Sequence, residues 1–90
     1  MADELKSPKM TLEIVSQKGF CGAGHKVGQK FDLSGGTPEG LCQSALHSAY
    51  HTVFALRWGA DFPWEKEKGT ALIACPDADN PVVMKITREG

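Results

Sequence analysis

The chain has 90 residues, of which 41 % are hydrophobic and 23 % charged, an ordinary composition for one globular domain. Its formal net charge is −1 and its lysines are scattered, so it lacks the basic stripe that nucleic-acid binding normally requires. It has no run of the roughly 18 apolar residues that span a membrane, and its polar start has no hydrophobic signal region. We therefore expect one cytoplasmic domain over residues 1–90, with residues 1–8 frayed and neither nucleic acid nor membrane as a partner.

The first part of the chain predicts two strands joined by a long loop. Residues 10–16 (MTLEIVS) alternate apolar and polar side chains, as a half-buried strand does. Residues 17–28 (QKGFCGAGHKVG) contain four glycines and exceed an ordinary hairpin turn. Residues 29–33 (QKFDL) form the second predicted strand, which Ser34 and the two following glycines end. Loops as long as the first one often carry function.

Residues 37–59 have the periodicity of one long amphipathic helix. Thr37 suits the N-cap, Pro38 suits the first helical position, and Gly59 suits the left-handed position that ends a helix. At about 100° per residue, His47 and His51 share the side that should face water. The opposite side should pack on a sheet and carries Cys42, Ala45, Leu46, Ala49, Val53 and Leu56.

The last part of the chain predicts two more strands, residues 70–75 (TALIAC) and 82–87 (VVMKIT), joined by turn-forming residues 76–81. Between the helix and the third strand stand three large side chains, Trp58, Phe62 and Trp64. We expect them to form a flap over one end of the core, which serves either as plain cover or as the lining of a pocket.

The order of these elements predicts an α+β fold. It consists of a four-stranded, mainly antiparallel sheet in ββαββ order, with one long helix packed on one face. Nothing in so short a chain is left to cover the other face, on which Val15 and Val83 should stand exposed. This open apolar surface predicts a symmetric dimer or higher homo-oligomer.

Three cysteines and one histidine are the strongest candidates in the sequence for a binding site. An odd number of cysteines fits reduced thiols or ligands better than a disulfide framework. Cys21 and His25 stand close together in the glycine-rich loop, and with Cys42 and Cys75 they could complete a tetrahedral site for zinc or another transition metal. The paired C-x2-C spacing of common zinc modules is absent, so a small-ligand site and plain packing of the thiols stay open.

The expected topology sets a condition on such a shared site. The glycine-rich loop and the predicted helix start lie at opposite ends of the first hairpin, roughly 15 Å apart at about 3.3 Å per residue. Cys21 and Cys42 therefore meet only if the loop folds back over the sheet. We predict that it does, with His25 in reach of Cys42 or Cys75.

Two further groups are interpreted as structural. His47 and His51 stand four residues apart, a spacing that can chelate a metal, but position 48 holds Ser instead of the Glu of a zinc protease. Asp77 and Asp79 lack the remaining ligands of a calcium loop and are interpreted as turn residues.

Five blocks of the sequence stand out together: CGAGHKVG at 21–28, TPEGLCQSALH at 37–47, FALRWG at 54–59, FPWE at 62–65 and CPDADNPVV at 75–83. They resemble a small, uncharacterised prokaryotic family of stand-alone proteins of about this length. The resemblance spans most of the chain and implies a complete single domain whose pattern includes Cys21, His25, Cys42, Cys75 and the Pro-Asp that follows Cys75. It implies no substrate, cofactor or reaction.

The sequence thus predicts a small non-enzymatic binding protein that holds a transition metal or a small ligand at the Cys/His cluster. One alternative is a thiol-dependent enzyme or redox accessory in which Cys21 reacts and His25 is its base. The other is a homo-oligomeric interaction module whose cysteines merely pack.

Overall fold

The computed structural model describes residues 8–34 and 38–89. The elements in chain order are β1 (Lys9–Gln17), β2 (Lys30–Asp32), α1 (Gln43–Arg57), β3 (Thr70–Ala74) and β4 (Val82–Glu89). All strand pairs are antiparallel and form one four-stranded sheet. The predicted α+β class, with a four-stranded antiparallel sheet and one helix, is confirmed.

The order across the sheet is β2-β1-β4-β3, so the ββαββ order along the chain is not the spatial order. The first and last strands are neighbours in the centre and pair from Lys9↔Glu89 to Gln17↔Val82. These are the two longest strands, and each carries an apolar row on the same face. In the centre of the sheet each of these strands has a neighbouring strand along both edges, which helps to bury both apolar rows. The row residues that are fully buried are Met10, Leu12, Ile14, Met84 and Ile86.

Helix α1 packs on the half of the sheet formed by β3 and β4. Its buried residues are Ala45, Ala49, Val53 and Leu56, and the two alanines let the helix backbone approach the strands closely. Cys42 and Leu46, both predicted to point inward, are half-buried. His47 and His51 are exposed, as the periodicity predicts.

The predicted start of the helix was wrong. Helix α1 begins at Gln43 with Cys42 as its N-cap, instead of beginning at Pro38. Gly40 has a φ of 85°, which a right-handed helix cannot include, and Cys42 has an extended ψ of 136°. The predicted N-cap, Thr37, lies outside the described residues. The predicted end is confirmed, because Gly59 has a φ of 102° directly after the C-cap.

Arg88 of β4 fixes the end of α1 against the sheet. Its Nη1 donates to the carbonyl oxygens of Leu56 at 2.9 Å and Ala60 at 2.8 Å, at and just beyond the helix end. Its Nη2 donates to Asp61 Oδ1 at 2.9 Å. This hydrogen bond is the main reason that the pKa of Asp61 is lowered from its ordinary value.

The predicted aromatic flap is only partly formed. Phe62 is half-buried and packs against the core, and Trp64 stacks on it with ring centroids 4.9 Å apart. Trp58 and Trp64 are 55 % and 73 % exposed, so they do not cover the core. On the far face of the sheet Val15 is 36 % exposed, whereas Val83, expected to be exposed, is half-buried.

Candidate functional site

The glycine-rich loop, residues 18–28, is tied to the turn between β3 and β4. The Lys18 N–H donates to the Pro81 carbonyl oxygen at 3.0 Å, and the Phe20 N–H donates to Asn80 Oδ1 at 2.7 Å. Gly19 lies between them with a φ of 69°, and a Cβ there would overlap Asn80 Oδ1. These contacts bring the loop towards Cys75, which begins the same turn.

His25 ties the other side of the loop to the start of α1. The Cys42 N–H donates to His25 Nε2 at 3.0 Å. Nε2 is therefore an acceptor, so Nδ1 carries the proton of the neutral ring and donates to Gln29 Oε1 at 3.1 Å. The ring is 3 % exposed and meets the ring of Phe31 edge-on at 5.5 Å. His25 thus has a defined tautomer and a defined orientation.

The two contacts border a cavity of about 480 Å³ that is open to solvent on one side, called the cysteine-lined cavity below. All four residues singled out in the sequence, Cys21, His25, Cys42 and Cys75, contribute to its wall. The predicted approach of His25 to Cys42 is confirmed, since the imidazole contacts the Cys42 amide directly. The remaining lining residues are Gly22, Ala23, Ser44, Ala45, Pro76, Asp77, Asn80 and Val82.

The late start of α1 explains how loop and helix meet. If the helix began at Pro38, its N-terminus would lie at the far end of β2, away from the loop. Because α1 begins at Gln43, residues 38–42 lie outside the helix, and Cys42 meets the loop at His25. The loop and Cys42 therefore meet, as the expected topology requires for a shared site.

The three cysteines are free, and each is half-buried. Cys42 is the N-cap of α1, and Cys21 opens a tight turn in which the Gly24 N–H donates to its carbonyl oxygen at 2.9 Å. Cys75 Sγ accepts a hydrogen bond from the Val82 N–H at 3.3 Å. The cavity therefore presents thiols from three separate parts of the chain.

The geometry gives a metal site that includes His25 no support. Within residues 8–34 and 38–89, no three His, Cys, Asp or Glu side chains are arranged to hold a metal ion. His25 would also have to release the Cys42 amide or Gln29 before either ring nitrogen could coordinate. The sequence pattern correctly placed His25 near the cysteines, but both ring nitrogens of His25 already make hydrogen bonds within the fold.

The same hydrogen bonds bear on the thiol-enzyme alternative. A base for Cys21 needs a free lone pair, and the Nε2 lone pair of His25 is occupied by the Cys42 N–H. The other candidate base is Asp77, the acidic residue among the described residues that line the cysteine-lined cavity. Its Oδ1 accepts the amides of Asp79 at 3.1 Å and Asn80 at 3.2 Å, so the carboxylate holds the turn, as expected for a turn residue.

The carboxyl groups whose pKa is lowered lie outside this lining. Asp61 is held by Arg88, and the pKa of Asp32 is lowered by its hydrogen bonds with Ser34. Neither residue borders the cysteine-lined cavity. The polar groups of the cavity are the thiols, His25, Ser44, Asp77 and Asn80, together with backbone groups.

A second hollow, of about 290 Å³, lies between α1, β3 and the segment that follows the helix. Phe62 and Trp64 line it, as the pocket alternative for the flap predicts, but Trp58 does not. Leu72 and His51 border its rim. It contains no cysteine and lies apart from the cysteine-lined cavity.

Comparisons of the chain with protein-family models, with curated proteins and with solved structures find no match. The family resemblance of the sequence blocks therefore stays a prediction. Among the described residues, no helix is both long and apolar enough to cross a membrane.

Sequence reasoning missed the residues that hold the site together. Asn80 appeared only as part of a turn, yet it binds the loop from 60 positions away. Gln29 was assigned to the second strand, but it accepts both from His25 and from the Lys26 N–H, the latter at 3.0 Å. Asn80 lies in the block at 75–83 and Gln29 lies outside the blocks, but nothing local in the sequence signals that either residue contacts the loop.

Proposed function

We propose that this protein is a non-enzymatic binding protein that holds a small molecule in the cysteine-lined cavity. The observation that carries the proposal is the convergence of three free, half-buried thiols on one cavity of about 480 Å³. This volume falls within the range of about 300–1,000 Å³ that small-molecule sites occupy. The loop that forms one wall is anchored at two independent points, which favours a pre-formed site.

The lining supports a small, uncharged and mostly apolar ligand. Ala23, Ala45, Pro76 and Val82 supply apolar walls, and the thiols add soft, polarisable surface. Ser44 and Ala45 belong to the first turn of α1, where backbone N–H groups have no partner within the helix. A hydrogen-bond acceptor on the ligand would fit towards this turn.

Binding is favoured over catalysis because the groups that could move a proton have structural roles. His25 holds the start of α1 and the Asp77 carboxylate holds its own turn. A thiol nucleophile would need one of them as base, and a zinc site would need the imidazole as ligand. A bound small molecule needs neither to be released.

The test is fragment binding observed by amide chemical shifts in the full chain, with neutral heteroaromatic fragments of one or two rings as probes. We expect shifts at the amides of Gly22, Ala23 and Ser44. Ala23→Phe should fill the cavity from its exposed wall and abolish these shifts. Val27→Phe is the matched control, because Val27 lies in the same loop, is 63 % exposed and does not line the cavity.

Metal analysis and thiol titration of protein purified without added metal separate this proposal from its alternatives. We expect no stoichiometric metal and slow, similar reaction of the three thiols with N-ethylmaleimide. Stoichiometric zinc would overturn the proposal in favour of a metal centre. A single fast thiol at Cys21 would favour the enzyme, and fragments that shift none of the three amides would leave the cysteines as packing residues.

A further inference from the structure

The solvent side of α1 carries three large aromatic residues in a row. Tyr50, Phe54 and Trp58 follow one another at spacings of four residues, which places them along one side of the helix. They are 53 %, 51 % and 55 % exposed, and the rings of Tyr50 and Phe54 lie 6.4 Å apart. This aromatic row, which ends at the C-cap Trp58, makes the solvent side of α1 unusually apolar.

The charge pattern of α1 favours a second copy of the same surface as the partner. The helix contains no Asp, Glu or Lys, although surface helices normally carry such residues on their outer side. Its one Arg, Arg57, is turned to the Leu33 carbonyl oxygen at 2.9 Å. In a two-fold contact each surface meets its own copy, so a charged face repels itself and an uncharged aromatic face does not.

The shape of this side is also self-complementary. A hollow of about 420 Å³ lies over the N-terminal half of α1 and reaches Tyr50, and the exposed Trp58 lies about two turns beyond Tyr50. The eight residue steps from Tyr50 to Trp58 correspond to about 12 Å along the helix axis. In an antiparallel pair with Phe54 at the centre, Trp58 of each copy stands opposite Tyr50 of the other. The hollow is lined by Gln43, Leu46, His47, Tyr50 and His51.

We propose that a second copy of this chain docks antiparallel on α1, with Phe54 beside the two-fold axis and each Trp58 in the hollow of the other copy. The interface then lies on α1 instead of on the outer sheet face, where the sequence predicts it. The outer sheet face carries Glu13 and Lys85 in paired positions next to Val15, a mixture that suits water. The proposal does not depend on a ligand in the cysteine-lined cavity.

The size of the contact predicts a weak dimer. Three half-exposed aromatic side chains, of about 150–250 Å² each, supply a few hundred Å². A standard stable interface buries about 800 Å² per partner. The dimer should therefore form with rising protein concentration and dissociate on dilution.

Sedimentation equilibrium of the full chain tests this inference up to about 1 mM, a concentration at which even weak complexes populate. The average mass of the wild type should rise from 9.7 kDa towards twice that value. Phe54→Glu should weaken association at least about tenfold. Trp64→Glu is the matched control, because Trp64 is more exposed, at 73 %, and lies off the helix, so it should leave association unchanged.

A mixing experiment tests the symmetry. At the two-fold axis position 54 meets itself, so an equimolar mixture of Phe54→Glu and Phe54→Lys should dimerise although each variant alone does not. Circular dichroism of both variants checks that they fold. A wild type that stays monomeric at every concentration overturns the proposal and leaves the row to a different partner. A dimer that survives Phe54→Glu, or that Val15→Glu abolishes instead, also overturns it.

Discussion

At the scale of single residues, His25 is the side chain on which the site depends most. It is buried in a loop, and both ring nitrogens are used, one for the start of α1 and one for Gln29. The sequence suggested a metal ligand or a base, because Cys and His in one short loop are typical of both. In the structure His25 has a connecting role: it joins the loop to the start of α1 by accepting a backbone hydrogen bond, and it does not act as a reactive group.

Replacing this imidazole tests that role. His25→Phe keeps a ring against Phe31 but leaves the Cys42 N–H without its acceptor, so we expect a loss of about 1–3 kcal/mol in the free energy of unfolding. Urea unfolding followed by circular dichroism measures the loss. His47→Phe is the control, because His47 is exposed on α1, and it should change stability by less than about 0.5 kcal/mol. Equal stability of both variants would contradict the connecting role.

At the scale of elements, the two ends of α1 are fixed by side chains from other parts of the chain. His25 accepts the first amide of the helix at Cys42, and Arg88 donates to the carbonyl oxygens at its end. The helix itself has no N-cap side-chain hydrogen bond and no acidic residue in its first turn. Its limits are therefore set by tertiary contacts more than by its own capping residues.

The ion pair between Arg88 and Asp61 predicts a dependence of stability on pH. The pKa of Asp61 is lowered in the folded chain, so the unfolded chain binds the proton more readily. The stabilisation is present above the ordinary Asp pKa of about 3.9 and is lost as the pH falls through the lowered pKa. Asp61→Asn should therefore be less stable than the wild type near pH 7, and the difference should shrink below about pH 4.

Unfolding midpoints measured across this pH range test the prediction. Asp79→Asn, a change at an exposed turn position, is the matched control and should follow the wild type at each pH. A difference between wild type and Asp61→Asn that stays constant with pH would show that it does not come from the charge of the Asp61 carboxylate. Since Asp61 is 38 % exposed, solvent screening should keep the effect modest.

At the scale of the whole molecule, the central feature of the fold is the pairing of its first and last strands. β1 and β4 lie in the centre of the sheet and bury the apolar rows of both, whereas β2 and β3 form the edges. A chain that must pair its first and last strands has many contacts between distant residues. The core therefore forms only when almost the entire described chain is in place.

Hydrogen exchange should reveal this arrangement. The amides of Leu12 and Met84, in the two central strands, should exchange most slowly because they open only with global unfolding. The amide of Leu72 in edge strand β3 donates to the Glu65 carboxylate at 3.1 Å in a solvent-exposed hydrogen bond and should exchange much faster. Equal protection of Leu72 and Met84 would show that another surface covers this edge.

The elements themselves were predictable because burial leaves a local period in the sequence. The alternation around Leu12 and Met84 predicted the two long strands, and the spacing of His47 and His51 predicted the exposed side of α1. Gly59 ended the helix as predicted, since a left-handed residue is needed there whatever packs around it. Each of these features depends on neighbours a few residues away.

Only the tertiary structure decided the order of the strands, the start of the helix and the composition of the site. The central pairing of β1 with β4 and the link from Phe20 to Asn80 join residues that are far apart in the chain, and such contacts leave no period to detect. The residue types at Cys21, Cys42 and Cys75 marked the site, because free thiols are few in so short a chain. Their meeting in one cavity depended on the fold, since two long-range hydrogen-bonded ties place the loop that carries Cys21.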